Sequence, residues 1–102
     1  MEKKKPHYSL AAILEQMIDV PSLKLTESAR TDILFVLGWN LDDALGAIRS
    51  LTRKHFYKSM TTSKDHRVWQ DVYHARWRDT DIYLKFKHHE SSYYFTVSFK
   101  EK

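Results

Sequence analysis

Tyr83, Lys85 and Lys87 alternate with Ile82, Leu84 and Phe86, and further on Ser98 and Lys100 alternate with Val97 and Phe99. Successive side chains of a strand point to opposite faces, so two neighbouring strands of this pattern collect tyrosine, serine and lysines on one face. Ammonium groups neutralise phosphates and aromatic rings give bases a surface to stack on, the two things a single RNA strand requires. A solvated sheet face uses lysines of the same kind to guard against edge-to-edge aggregation, and the alternation by itself leaves both readings open. A second stretch, Phe56-Tyr57-Lys58-Ser59-Met60-Thr61-Thr62, carries more reactive and hydrogen-bonding groups than a connecting loop requires. It leads into Asp65, His66, Trp69, Gln70, Asp71 and Tyr73, and loops placed by a rigid sheet often hold functional groups. Turn chemistry from Ser and Thr, with Trp69 and Tyr73 as core rings, is the competing reading.

Six histidines, at positions 7, 55, 66, 74, 88 and 89, invite a metal site or a histidine-pair ribonuclease. His88 and His89 are adjacent and would point to opposite faces, and no zinc-binding spacing, phosphate-binding glycine loop or serine-nucleophile motif is present. His66, beside the polar segment, is the best histidine candidate, as a hydrogen-bonding orienter. The 102 residues carry 17 Lys and Arg against 13 Asp and Glu, a net charge of +4 that makes an acidic partner plausible. There is no cysteine, which excludes disulfides, thiolate metal sites and a cysteine nucleophile and suits a reducing compartment. Apolar runs fall far short of the roughly 20 residues that span a bilayer, and residues 1–6 lack the apolar region of a secretory signal. A cytoplasmic protein with no membrane association is expected.

The elements that must position these residues divide the chain in two. In the first half Ser9 can cap a helix with Leu10, Ile13, Leu14, Met17 and Ile18 on one face, stopped by Pro21. Thr26 can cap a second helix, in which Ile33, Leu34 and Leu37 supply apolar contacts and which Gly38 fits as a C-terminal cap. Asn40 can cap a third, with Asp42 and Asp43 in its first turn and a stripe of Leu41, Ala44, Leu45, Ile48 and Leu51. After Phe56 the composition turns β-branched and aromatic, and three antiparallel strands are predicted at about 67–76, 81–87 and 93–100, with turns at 78–80 and 89–92. One domain over residues 1–102 is expected, flexible at residues 1–6 and above all at the lysine run 3–5.

Phe56 to Thr62, Asp65-His66, Trp69 to Tyr73, Tyr83-Leu84-Lys85 and Ser98 to Lys102, in that order, resemble the MqsR family, as does the opening Met1-Glu2-Lys3 with Pro6-His7. The stretch with His74, Ala75 and Trp77 and the aromatic run Tyr93 to Phe95 depart from the family pattern. The resemblance implies a RelE-like α+β fold, with helices of the N-terminal half packed on one face of a C-terminal antiparallel sheet. It also implies a toxin of a type II toxin–antitoxin system: a ribosome-independent endoribonuclease that cuts messenger RNA at short sites beginning with GC. No metal or cofactor is implied, and the partner is an MqsA-like antitoxin that also binds DNA. The residues matching the family's functional set are Lys58, Gln70, Tyr83 and Lys100, which become the candidate catalytic residues. Lys85, Lys87, His66 and Ser98 are candidate RNA-binding residues. A non-catalytic RNA-binding module and an interaction protein recruiting a partner strand remain as alternatives.

Overall fold

A computed structural model describes residues 1–88 and 94–102. The turn predicted at 89–92 and the Tyr93 start of the last predicted strand lie outside the described residues. Ser9 caps α1 (Leu10–Gln16) by accepting from the Ala12 amide at 3.2 Å. The helix stops at Gln16, short of Pro21, because its last side chain is tied to β5 (Phe95–Glu101): the Gln16 amide group donates to the Phe95 carbonyl and accepts from the Phe95 amide. Pro21 lies instead in a separate 3₁₀ turn, Val20–Ser22, closed by reciprocal Asp19 and Ser22 hydrogen bonds. Thr26 caps α2 (Glu27–Thr31), which widens into a π-helical turn, Asp32–Val36, before Gly38 at φ +68° ends it as expected. The wide turn buries Ile33 but leaves Phe35 81% exposed. Asn40 and Asp43 form a reciprocal capping box at the start of α3 (Leu41–Arg49), whose Ala44, Ala47 and Ile48 are buried.

The sheet is antiparallel with strands in chain order: β1 (Glu2–Lys3), β2 (Phe56–Thr61), β3 (Trp69–Trp77), β4 (Thr80–His88) and β5. The α+β arrangement is therefore the expected one, but with five strands where three were predicted. The segment after Phe56 is a strand, not a loop. Ser59 and Thr61 face the helices, and the Ser59 hydroxyl donates to the fully buried Asp71 carboxylate at 2.6 Å. Asp71 also accepts from the His7 and Tyr8 amides, binding the beginning of the chain to the sheet. The start, expected to be flexible, is paired: the Met1 ammonium donates to Thr61 Oγ1, and the Lys3 ammonium sits 4.3 Å from the Trp69 ring centre.

Tyr73, Ala75, Ile82, Leu84, Phe86, Val97 and Phe99 pack beneath the helices in one core. Between Phe56 and Lys58 the β2–β3 register shifts by a bulge, Phe56 pairing with Tyr73 and Lys58 with Val72. Tyr57 is the extra residue, and it joins Lys58 on the face away from the helices. The outer edge of β5 is covered at Val97 by residues 24–26, through Thr26 N–H to Val97 O and Val97 N–H to Lys24 O.

Candidate active site

The face without helices is organised by cross-strand register. Lys58, Val72, Lys85 and Ser98 stand in one row across β2 to β5. One step along, Met60, Gln70, Lys87 and Thr96 form a second row, and on the other side His74, Tyr83 and Lys100 form a third. All four candidate catalytic residues thus lie on one face, with Tyr83 and Lys100 direct partners. Lys58, Tyr83, Lys85, Ser98 and Lys100 line a groove of about 630 Å³. Val72, 3% exposed, lies in the same row as Lys58, Lys85 and Ser98 and lines the groove with them. Ser28, Asp32 and Glu101 also line it, so the lysine-rich groove has two carboxylates among its walls.

Lys58 does not stand free. Its ammonium forms an ion pair with Glu2 of β1, and this hydrogen bond, reinforced by the pair's mutual attraction, holds the Glu2 carboxyl below its ordinary value and raises the Lys58 pKa. The Lys58 ammonium also lies 5.4 Å from the centre of the Tyr57 ring, and that of Lys102 lies 5.9 Å from Tyr83.

Gln70 and Lys87 are register partners on the same face but do not line the groove. His66 is exposed in the connection between β2 and β3 and contributes nothing to the groove lining. Ser59, Thr61 and Asp71, reactive by type, point into the structure and hold the chain together. Tyr57, His74 and Lys102 also belong to this face, and the sequence reading, though it touched on each of them, made none a candidate site residue. Period-two alternation from Gln70 through Val72 places His74 on it. Tyr57 reaches the face only through the bulge, which leaves no mark in the sequence. Among the described residues no group of three or more His, Cys, Asp or Glu is placed to hold a metal ion.

The family model described as "Motility quorum-sensing regulator, toxin of MqsA" matches residues 5–101. This chain belongs to the MqsR toxin family. A relative from Escherichia coli (strain K12), named mRNA interferase toxin MqsR, is 37% identical over 102 residues, the whole of both chains. The MqsR family match spans α1 to α3 and β2 to β5, so every residue of the groove falls inside it, while Glu2, the counter-ion of Lys58, falls outside.

Proposed function

We propose that this chain is the toxin of a toxin–antitoxin pair and cleaves messenger RNA, without a metal and without the ribosome, at short sites beginning with GC. The observation that carries the reading is the gathering of Lys58, Tyr83, Lys85, Ser98 and Lys100 round one groove in a chain of the MqsR family. Its full-length relative is named an mRNA interferase. Cleavage needs a proton taken from a ribose 2′-hydroxyl so that its oxygen attacks the adjacent phosphorus. It also needs positive charge on the phosphorane and a proton for the departing 5′-oxygen. Lys58 and Lys100 supply charge to the phosphate, Tyr83 transfers a proton or stacks on a base, and Gln70 hydrogen-bonds a base or the backbone. Lys85, Lys87 and Ser98 extend the phosphate track. His66, in its exposed connection, contacts RNA only beyond the groove. Proton transfer contributes about 10²- to 10⁴-fold, so electrostatic stabilisation by the lysines must supply much of the remainder.

The partner is an MqsA-like, DNA-binding antitoxin, met by the toxin in the cytoplasm. With β5 covered at Val97 and β1 only two residues long, the β1–β2 edge offers backbone groups for strand addition. The decisive experiment incubates purified protein with end-labelled messenger RNA in excess chelator, beside a Lys58→Ala, Tyr83→Phe double variant, and maps the fragment ends. Discrete cuts at GC-starting sites by the parent alone are expected. Intact RNA from folded, antitoxin-free protein would favour a non-catalytic RNA-binding module.

A further inference from the structure

His74 lies on β3, the middle strand of the open face, in register with Tyr83, and the bulge lays Tyr57 almost flat against it. The imidazole centroid is 4.2 Å from that of Tyr57 at an interplanar angle of 24°, and 4.5 Å from that of Tyr83 at 79°. Its Nε2 is enclosed and has no hydrogen-bond partner. Three adjacent strands therefore contribute one aromatic row, Tyr57, His74 and Tyr83, with an imidazole in the middle.

The surroundings decide the charge of that ring. From β2 it faces Lys58 and Tyr57, and the Lys4 ammonium lies 5.4 Å from the Tyr57 ring centre. From β4 it faces Tyr83, beyond which Asp81 is paired with Arg76 of His74's own strand. From the β5 side come Lys100 and Lys102. A second ring proton would add positive charge among these lysines and place an N–H where no acceptor stands. Attraction of an imidazolium to the tyrosine faces opposes this. Burial first, then the charges of Lys102 and Lys58, nevertheless push the His74 pKa below 6.5, so the net balance favours the uncharged ring at neutral pH.

We infer that His74 is a positioning residue: its uncharged ring, packed between Tyr57 and Tyr83, holds Tyr83 in place beside the groove and loses that hold on taking a proton. This rests on the reading of the groove as an RNA-cleaving site. It adds a pH dependence that comes from the imidazole, the side chain whose charge ordinarily changes between pH 5 and 8. Holding a reacting group to within an ångström is worth up to about a hundredfold in rate.

The test measures kcat and KM for a short RNA from pH 5 to 8 in chelator, with parent, His74→Phe and His74→Ala proteins, each shown folded by circular dichroism. The parent is expected to lose kcat on the acid side, tenfold per pH unit below the His74 pKa, with KM changing less. His74→Phe, which keeps a ring and cannot titrate, should retain most of the neutral kcat and lose the acid limb. His74→Ala should lose about ten- to a hundredfold in kcat at neutral pH. A folded His74→Phe protein inactive at every pH would overturn the inference, since the nitrogens would then be doing the chemistry. An unchanged acid limb in His74→Phe, or full kcat in His74→Ala, would overturn it too. Without RNA, the Tyr83 ring resonances of the parent should shift with the same midpoint as His74. Tyr83 signals that ignore that titration reject the inference whether or not the protein cuts RNA, whereas a coupled titration in a protein that never cuts RNA rejects only the reading of the groove.

Discussion

Lys58 reaches the groove already holding a carboxylate, so an RNA phosphate must displace Glu2 before it can use that ammonium. Exchanging one exposed ion pair for another yields little net energy, and removing the competitor should therefore show directly in affinity. Glu2→Gln is expected to bind RNA about two- to fivefold more tightly at low salt, measured on a 2′-deoxy-substituted strand that cannot be cut. The sign is fixed by the ion pair: Glu2 has its carboxyl held low by Lys58, so the advantage should disappear as pH falls through that lowered value and the parent's own Glu2 is neutralised. At this scale the site was half legible. Lys58, Tyr83, Lys85, Ser98 and Lys100 could be assembled from alternation and from the MqsR resemblance, because a two-residue period survives in the sequence. The pairing of Lys58 with Glu2 joins positions 56 apart, and no local pattern records that.

The elements were most legible where a cap fixes them. Asn40 with Asp43 and Thr26 with the Ala29 amide start helices where their side chains required, since capping is decided within four residues. The two-residue β1 and the π-helical turn were not legible, because each is set by what lies across from it. The contact of α3 with β3 is of this second kind. A Cβ added at Gly46 would lie 2.6 Å from Cζ2 of Trp77, inside any real carbon contact. Alanine in a helix gains up to about 1 kcal/mol over glycine, but overpacking against a ring costs about 1–3 kcal/mol. Gly46→Ala should therefore destabilise the fold by about 1 kcal/mol in urea unfolding, and the same change in a Trp77→Phe background should be neutral or stabilising.

For the molecule as a whole, stability should be bounded on both sides by groups whose charged forms the fold disfavours. His7 and His74 are held below 6.5 by burial first and by neighbouring lysines second. The unfolded chain takes up these protons first, so their contribution is complete above 6.5 and is lost as pH falls through the lower folded values. Tyr73 is the alkaline counterpart: burial, then the Asp71 charge, raise it from 10.0 to about 12, and its hydroxyl is enclosed with no hydrogen-bond partner. Its contribution is complete below 10 and is lost as pH rises through about 12. A plot of the urea midpoint against pH should show a plateau between these limbs, and Tyr73→Phe should shrink the alkaline one, leaving the part due to Tyr8, which burial also raises, while raising the plateau by about 1 kcal/mol, the cost of an unpaired buried hydroxyl.

The bulge at Tyr57 bears on how such a chain can change over time. Because Phe56 already pairs with Tyr73 and Lys58 with Val72, losing the codon for Tyr57 would leave a regular strand with every later ladder partner in place. The aromatic clamp on His74 can therefore be gained or discarded in one mutational step, without any intermediate chain in which Lys58 is turned into the core.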